Sequence, residues 1–259
     1  MRQASPPGSA SLGRLTLLSL AQRAPWQQVT AQISSSFDFR FCDPAALQTS
    51  GRLASAGVSS APSASRVAAM PAAECLTRML HPPPDGGGGG DVNWDSTPPL
   101  FFEGEEFVYL KSALPPALRA DAEGMLARPP FFRGAGFREV QEPRLWAGPK
   151  GAVSPLHYDL DCSWLLQVQG EKRMLFFPAE ELPRLYPYPD AHPLRRRARA
   201  CPTDPRGDAW GRYPLFRDLP AWEASLGPGD AVFFPPRWAH YTESLSPSTS
   251  LTWRFKPPP

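Results

Sequence analysis

Residues Ser154–Pro178 read SPLHYDLDCSWLLQVQGEKRMLFFP, and this stretch decides the fold. It divides into a strand, a second strand, a tight turn and a third strand. His157 and Asp159 stand two residues apart, so on an extended backbone both side chains leave the same face. Gly170-Glu171 suits a two-residue hairpin loop, with the glycine in first position. Lys172 opens the next strand, and the hairpin returns its cation toward the His157 strand. Later, Gly227-Pro228-Gly229-Asp230 is a strong turn signal, followed by the strand-like run Ala231–Phe234 and then His240. Strand, hairpin, long insertion, turn, strand and His is the order that a double-stranded β-helix requires. The expected fold is therefore mainly β, a jelly roll with a few flanking helices.

His157, Asp159 and His240 would together offer two imidazoles and a carboxylate. Such a set on one face, with the other face open, holds non-haem Fe(II) for oxygen chemistry. The His-x-Asp triplet alone is weak: 4 His and 13 Asp in 259 residues give roughly 0.2 such triplets by chance. A half-buried strand whose His and Asp hydrogen-bond each other accounts for it equally well. The weight comes from the surrounding text.

That text is long. HYD, QVQGEKRMLFFP, LYPYPDAHP, RYPLF, GPGDAVFFPPRWAHYTESL and the closing TWRFK, with MPAAECLTRML and FVYLKSAL upstream, resemble the JmjC-type cupin oxygenases. Within that family the chain is most similar to the asparaginyl hydroxylase of the hypoxia-inducible factor and to small JmjC-only hydroxylases. The likeness runs over residues 68–256, with the glycine-rich loop 82–98 as an insertion. It implies Fe(II) held by His157, Asp159 and His240, with 2-oxoglutarate and O2 as co-substrates and ascorbate as a supporting reductant. The far carboxylate of 2-oxoglutarate needs a cation and hydroxyl donors, since a buried anion must be paired. By motif position these are Lys172, Tyr109 and Ser154. Ser163 stands where the similar hydroxylase has an Asn and retains a hydrogen-bonding group. Arg254 stands at another such Asn position, where it either adds a carboxylate contact or points outward. Lys256 falls where the relative has a Trp. No side-chain acid or base beyond the metal centre is required.

A chain of 259 residues with 42% hydrophobic and 20% charged residues reads as one ordinary domain able to bury a sizeable core. A net charge of +2 does not argue for a nucleic-acid binder. Cys42, Cys75, Cys162 and Cys201 form no CxxC pair and read as reduced thiols of an intracellular protein, in cytoplasm or nucleus. Residues 1–67 are a separate N-terminal segment. The first 70 residues hold six Arg, no Lys, thirteen Ser and two acids, a composition that resembles an organelle transit peptide and leaves organelle import open. The competing reading is that residues 24–41 supply an early helix and strand. The apolar run Leu15–Ala21 is too short to span a bilayer, so no membrane partner is expected. Further helices are expected over Met70–Leu80 and Leu114–Arg128, and a strand over Pro99–Leu110.

Residues 178–226 read as an irregular insertion carrying Tyr186 and the basic run Arg195–Arg199. It is either a solvated loop or a rim that meets substrate through Arg196, Arg197 and Tyr186. Past Phe255 the chain continues as Lys-Pro-Pro-Pro, without the helices that pair the hypoxia-factor hydroxylase, so no oligomer is implied.

The resemblance implies a dioxygenase that hydroxylates a protein side chain, releasing succinate and CO2. Lysine or arginine demethylation is the first alternative, and a tRNA-modifying hydroxylase gripping RNA through Arg195–Arg199 is the second. A cupin-like binding protein without turnover, or an isomerase-type cupin using Zn or Mn, would also share the fold.

Overall fold

The computed structural model describes residues 12–34, 65–80, 106–125, 136–192, 194–200, 202 and 209–257. Its strands are β1 (Gln28–Ser34), β2 (Arg66–Pro71), β3 (Phe107–Ala113), β4 (Arg138–Gly148), β5 (Val153–Tyr158), β6 (Cys162–Gln169), β7 (Lys172–Phe177), β8 (Trp222–Leu226), β9 (Ala231–Phe234), β10 (Ala239–Ser244) and β11 (Ser248–Lys256). They form a seven-stranded sheet in the order β2-β1-β3-β4-β11-β6-β9 and a four-stranded sheet in the order β5-β10-β7-β8. All the strand pairs are antiparallel. From β4 onward the chain passes back and forth between the sheets in the manner of a jelly roll, except that β7 and β8 are neighbours in the smaller sheet, and β1 to β3 extend the larger sheet.

Period-two alternation sorts the side chains onto two faces of each sheet. On the outer face of the large sheet, Val108, Leu110, Leu145, Leu166, Leu251 and Trp253 share a core with the helices α1 (Leu17–Arg23), α2 (Ala72–Leu80) and α3 (Pro116–Met125). Each such side chain, fully buried, contributes about 1.5–3 kcal/mol. Thr16 caps α1 by accepting a hydrogen bond from Ser19 N at 3.1 Å. Arg23 of α1 pairs with Asp121 of α3, tying the helices together. Cys75 and Cys162 are free, buried thiols, and burial pushes Cys75 up to about 12. Cys42, Cys201 and the loop 82–98 lie outside the described residues. Among the described residues no helix is long and apolar enough to cross a membrane.

The N-terminal segment supplies a helix and a strand, and β1 lies between β2 and β3, so a boundary at residue 67 falls inside the sheet. The helix expected from Met70 starts at Ala72 because Met70 and Pro71 finish β2 in register with β1. The insertion is shorter than 178–226, since Trp222–Leu226 pairs with β7 as the edge strand β8. Its described residues pack on the small sheet. Leu182, Leu185, Ala200 and Phe216 cover Leu156, Leu175, Phe177 and Tyr241 on the outer face of the small sheet. Its arginine run adds to the edge of β5: Tyr158 N donates to Arg196 O at 3.0 Å and Ala198 N to Leu156 O at 2.9 Å.

Candidate metal centre

The space between the sheets is identified by the cluster that crosses it. Leu165 and Phe234 of the large sheet meet Met174, Phe176 and Leu226 of the small one. Lys172, Met174 and Phe176 therefore point inward along β7, while Leu175 and Phe177 point outward. The inward-facing polar groups make the site.

His157 is the penultimate residue of β5 and is in register with His240 of β10, and their ring centroids are 4.3 Å apart. Asp159 lies in the turn after β5, its backbone oxygen accepting a hydrogen bond from Arg237 N at 2.8 Å. Arg237 has φ 64, a left-handed turn that starts the chain into β10 and ties the two turns together. One ligand atom from each of His157, Asp159 and His240 lies within 4.8 Å of the others, and His240 Nε2 is 4.0 Å from Asp159 Oδ2. Phe234 packs on His240 at 4.6 Å between centroids and holds the ring.

The imidazoles are prepared as ligands. His157 Nδ1 is 2.7 Å from Pro155 O and His240 Nδ1 is 3.2 Å from Trp238 O. A carbonyl oxygen only accepts, so each Nδ1 carries the hydrogen and each Nε2 keeps its lone pair. Burial lowers the pKa of both rings, and for His157 the neighbouring His240 and Arg197 add to this, so both are neutral at ordinary pH. Burial works against ionising Asp159, but Arg254, His157, His240 and Arg197 together outweigh it and hold the carboxyl well below its ordinary range. Two neutral imidazoles and a carboxylate suit a divalent metal of intermediate hardness, and Fe(II) fits this donor set. His192, by contrast, lies in the insertion, where its Nδ1 accepts a hydrogen bond from Leu194 N at 3.0 Å.

Deeper in the interior, Lys172 is 1% exposed and donates to Tyr109 Oη across the two sheets at 3.4 Å. Among the described residues no carboxylate pairs with this ammonium. A cation so placed carries a desolvation cost that an incoming carboxylate would offset, so the residues fit the far end of a dicarboxylate such as 2-oxoglutarate. Hydroxyls line the same space: Ser244 is in register with Lys172 and 2.9 Å from Ser248 Oγ, and Ser250 donates to Gln167 at 2.7 Å. Gly148 makes room for Tyr109, because a Cβ there would stand 2.4 Å from its ring.

Ser154 lies on β5 opposite Thr242, and Ser163 is buried on β6 opposite Arg254. Of the expected substrate residues, Arg197 is brought to the site by an antiparallel bridge to His157. Arg196 adopts φ 68 and its backbone oxygen is engaged by Tyr158. Tyr186 is not brought in. It packs on Tyr213 in the outer cluster, its hydroxyl accepting a hydrogen bond from Leu215 N at 3.1 Å. The aromatic-proline text around it serves the fold of the insertion.

Arg254 points inward rather than outward, and the carboxylate it contacts is that of Asp159, with Oδ2 accepting at 2.5 Å. Lys111 and Arg144 were not expected. Both face the site from β3 and β4, where their charges act on each other and on Asp159. The signal was present: Lys111 is two residues from Tyr109, and Arg144 two from Trp146, so each shares its neighbour's face.

Comparison with known proteins bears on this geometry. Residues 104–259 match the family described as Cupin-like domain. The Jumonji C domain-containing protein 5 of Drosophila melanogaster is 38% identical over 112 residues, 42% of this chain and 26% of that protein. The human HSPB1-associated protein 1 is 37% identical over 113 residues, 43% of this chain and 23% of its own. The Lysine-specific demethylase 8 of Xenopus tropicalis is 32% identical over 108 residues, 42% of this chain and 24% of its own. The matches thus span about a quarter of these relatives' lengths. With a jelly roll, a His-Asp-His cluster inside it and these similarities, the chain belongs to the cupin-like domain family, in its JmjC branch.

Proposed function

We propose that this protein is an Fe(II)- and 2-oxoglutarate-dependent oxygenase that hydroxylates a side chain of a protein substrate. The observation that carries the reading is the presence of the His157–Asp159–His240 cluster and the buried Lys172–Tyr109 contact between the same two sheets. When bound, iron and 2-oxoglutarate supply the oxidation, with succinate and CO2 as co-products. The chain's own work is positional. The carbonyls of Pro155 and Trp238 set the tautomers, Lys172 and Tyr109 receive the far carboxylate, and Phe176 and Phe234 keep water from the buried side of His240. A non-catalytic cupin or an isomerase would have no use for Lys172 in that place.

The test is succinate formation from 2-oxoglutarate by the purified protein with Fe(II) and ascorbate, beside a His157→Ala variant. Slow uncoupled turnover in the wild type and none in the variant is the expected result. Iron binding without succinate at any 2-oxoglutarate concentration would favour a binding protein. Demethylation is the second reading, suggested by the name of the Xenopus relative, and it predicts formaldehyde release from methylated peptides.

A further inference from the structure

We infer that the cleft between the start of β4, the Leu160–Asp161 turn and Lys256 seats a polypeptide substrate. The side-chain amide of Gln141 donates to a backbone carbonyl of that polypeptide, and Leu160 covers one of its apolar side chains. This rests on the oxygenase reading and names its substrate class and two residues that set specificity.

The cleft has a volume of about 710 Å³ and adjoins the metal cluster. Two of its lining residues, Leu160 and Asp161, follow the ligand Asp159 directly. A third, Gln141, is the cross-strand partner of Arg254, which donates to that same carboxylate. A chain lying in the cleft therefore passes beside the cluster. β4 is irregular at this place. Arg144 pairs with Thr252, Gln141 with Arg254 and Glu139 with Phe255, so β4 advances three residues and then two where β11 advances two and then one. Two bulges in succession re-aim the side chains of β4, a device common beside active sites.

Gln141 carries the inference. Its side-chain nitrogen is shielded from water and has no hydrogen-bond partner among the described residues. A buried donor without an acceptor is unfavourable, and an incoming carbonyl oxygen removes the deficit. A polypeptide backbone offers such an oxygen at every residue, whatever its sequence. Leu160, 59% exposed on the same cleft, adds the apolar contact. The charges separate peptide from nucleic acid. Arg138 and Lys256 are matched by Glu139 and Asp161, so this lining has no net charge. A phosphate backbone requires a cationic track, whereas a peptide backbone is neutral. Small molecules are held in pockets that enclose most of their surface, and a cleft with Leu160 standing open suits a chain that passes through.

The test uses full-length protein loaded with Mn(II) and N-oxalylglycine, a pair that forms no product. Degenerate peptide libraries, one for each fixed central residue, are passed over the immobilised protein, and the retained pools are quantified and sequenced. A labelled single-stranded RNA is titrated in parallel. The best-retained library should be enriched in Leu, Ile, Met or Phe at one position near its centre. Gln141→Leu keeps the bulk and removes the amide. It should weaken retention about tenfold, while Mn(II) binding holds and Tm stays level or rises, because an unpaired donor is gone. Leu160→Lys should turn the apolar preference into an acidic one. Unchanged retention by Gln141→Leu, an apolar preference that survives Leu160→Lys, no retention of any library, or tighter binding of RNA than of every library would overturn the seat. A Gln141→Leu protein that loses Mn(II) and melts earlier would do the same, since the amide would then belong to the fold. Succinate formation by the wild type separates the two claims. Both peptide signatures without succinate sink the oxygenase reading and keep the seat, while succinate with neither signature does the reverse.

Discussion

Arg254 donates a hydrogen bond to the same Asp159 oxygen, Oδ2, that lies 4.0 Å from His240 Nε2. The carboxylate that completes the metal cluster is thus already shared with a guanidinium, which draws electron density from it and adds a positive charge beside any dication.

Arg254→Asn is therefore expected to tighten Mn(II) or Fe(II) binding by about tenfold, or about 1.4 kcal/mol. Titration followed by the Mn(II) spin-resonance signal checks this. A weaker Kd in the variant would mean that Arg254 matters more as a guide for Asp159 than as a competitor.

Lys172 is buried as a cation against Tyr109. Lys172→Met keeps the length of the side chain and removes the charge. The affinity for 2-oxoglutarate should fall about a hundredfold, as for loss of one partner of a buried charge pair, while the melting temperature stays level or rises. Calorimetric titration and a melting curve read the two effects separately.

Lys111 gives a pH dependence with a defined sign. Its ordinary value of 10.5 falls to about 7 in the folded chain, through burial first and then Arg144, Arg197 and Arg254, with Asp159 opposing. Between these values the unfolded chain holds the proton and the folded chain does not, so stability from this group rises with pH across that window. Lys111→Met should raise Tm most at about pH 7 and below, and the gain should shrink toward about pH 10. Melting curves across that range decide it; a gain independent of pH would place the lysine's charge outside the balance.

Gly148→Ala tests the seat of Tyr109. The new Cβ would stand 2.4 and 2.6 Å from two carbons of that ring, so the ring must move. Overpacking of this kind costs about 1–3 kcal/mol. The displaced hydroxyl should also raise KM for 2-oxoglutarate, whereas a fall in Tm with KM unchanged would show that Tyr109 is only a packing group.

What was legible in the sequence was local. His157 and Asp159 share a strand end, Gly170 with φ 69 makes the turn that its position demanded, and Lys172 follows it inward. The triad needed only the order of strands to close. β8 was hidden because Trp222–Leu226 is short, half polar and stands behind a proline, so only its partner β7 reveals it. β1 was obscured by the serine-rich composition around it, although Val29, Ala31 and Ile33 are buried. Lys111 and Arg144 share the faces of Tyr109 and Trp146, as their spacing allows, but their closeness to Arg254 comes from cross-strand register between strands distant in sequence. Tyr186 misled because an aromatic beside prolines suits a rim and a packed cover equally well.

The insertion's docking on β5 bears on how the protein keeps itself from sticking. β5 would otherwise be an open edge, and exposed edges recruit strands from other molecules. Tyr188 N donates to Arg197 O and Arg199 N to Tyr186 O, so the arginine run is itself backed by a further extended segment. Trimming residues 186–200 as a dispensable loop would bare that edge and the apolar side of the small sheet together. The shortened protein would then aggregate during expression before any loss of chemistry could be assayed.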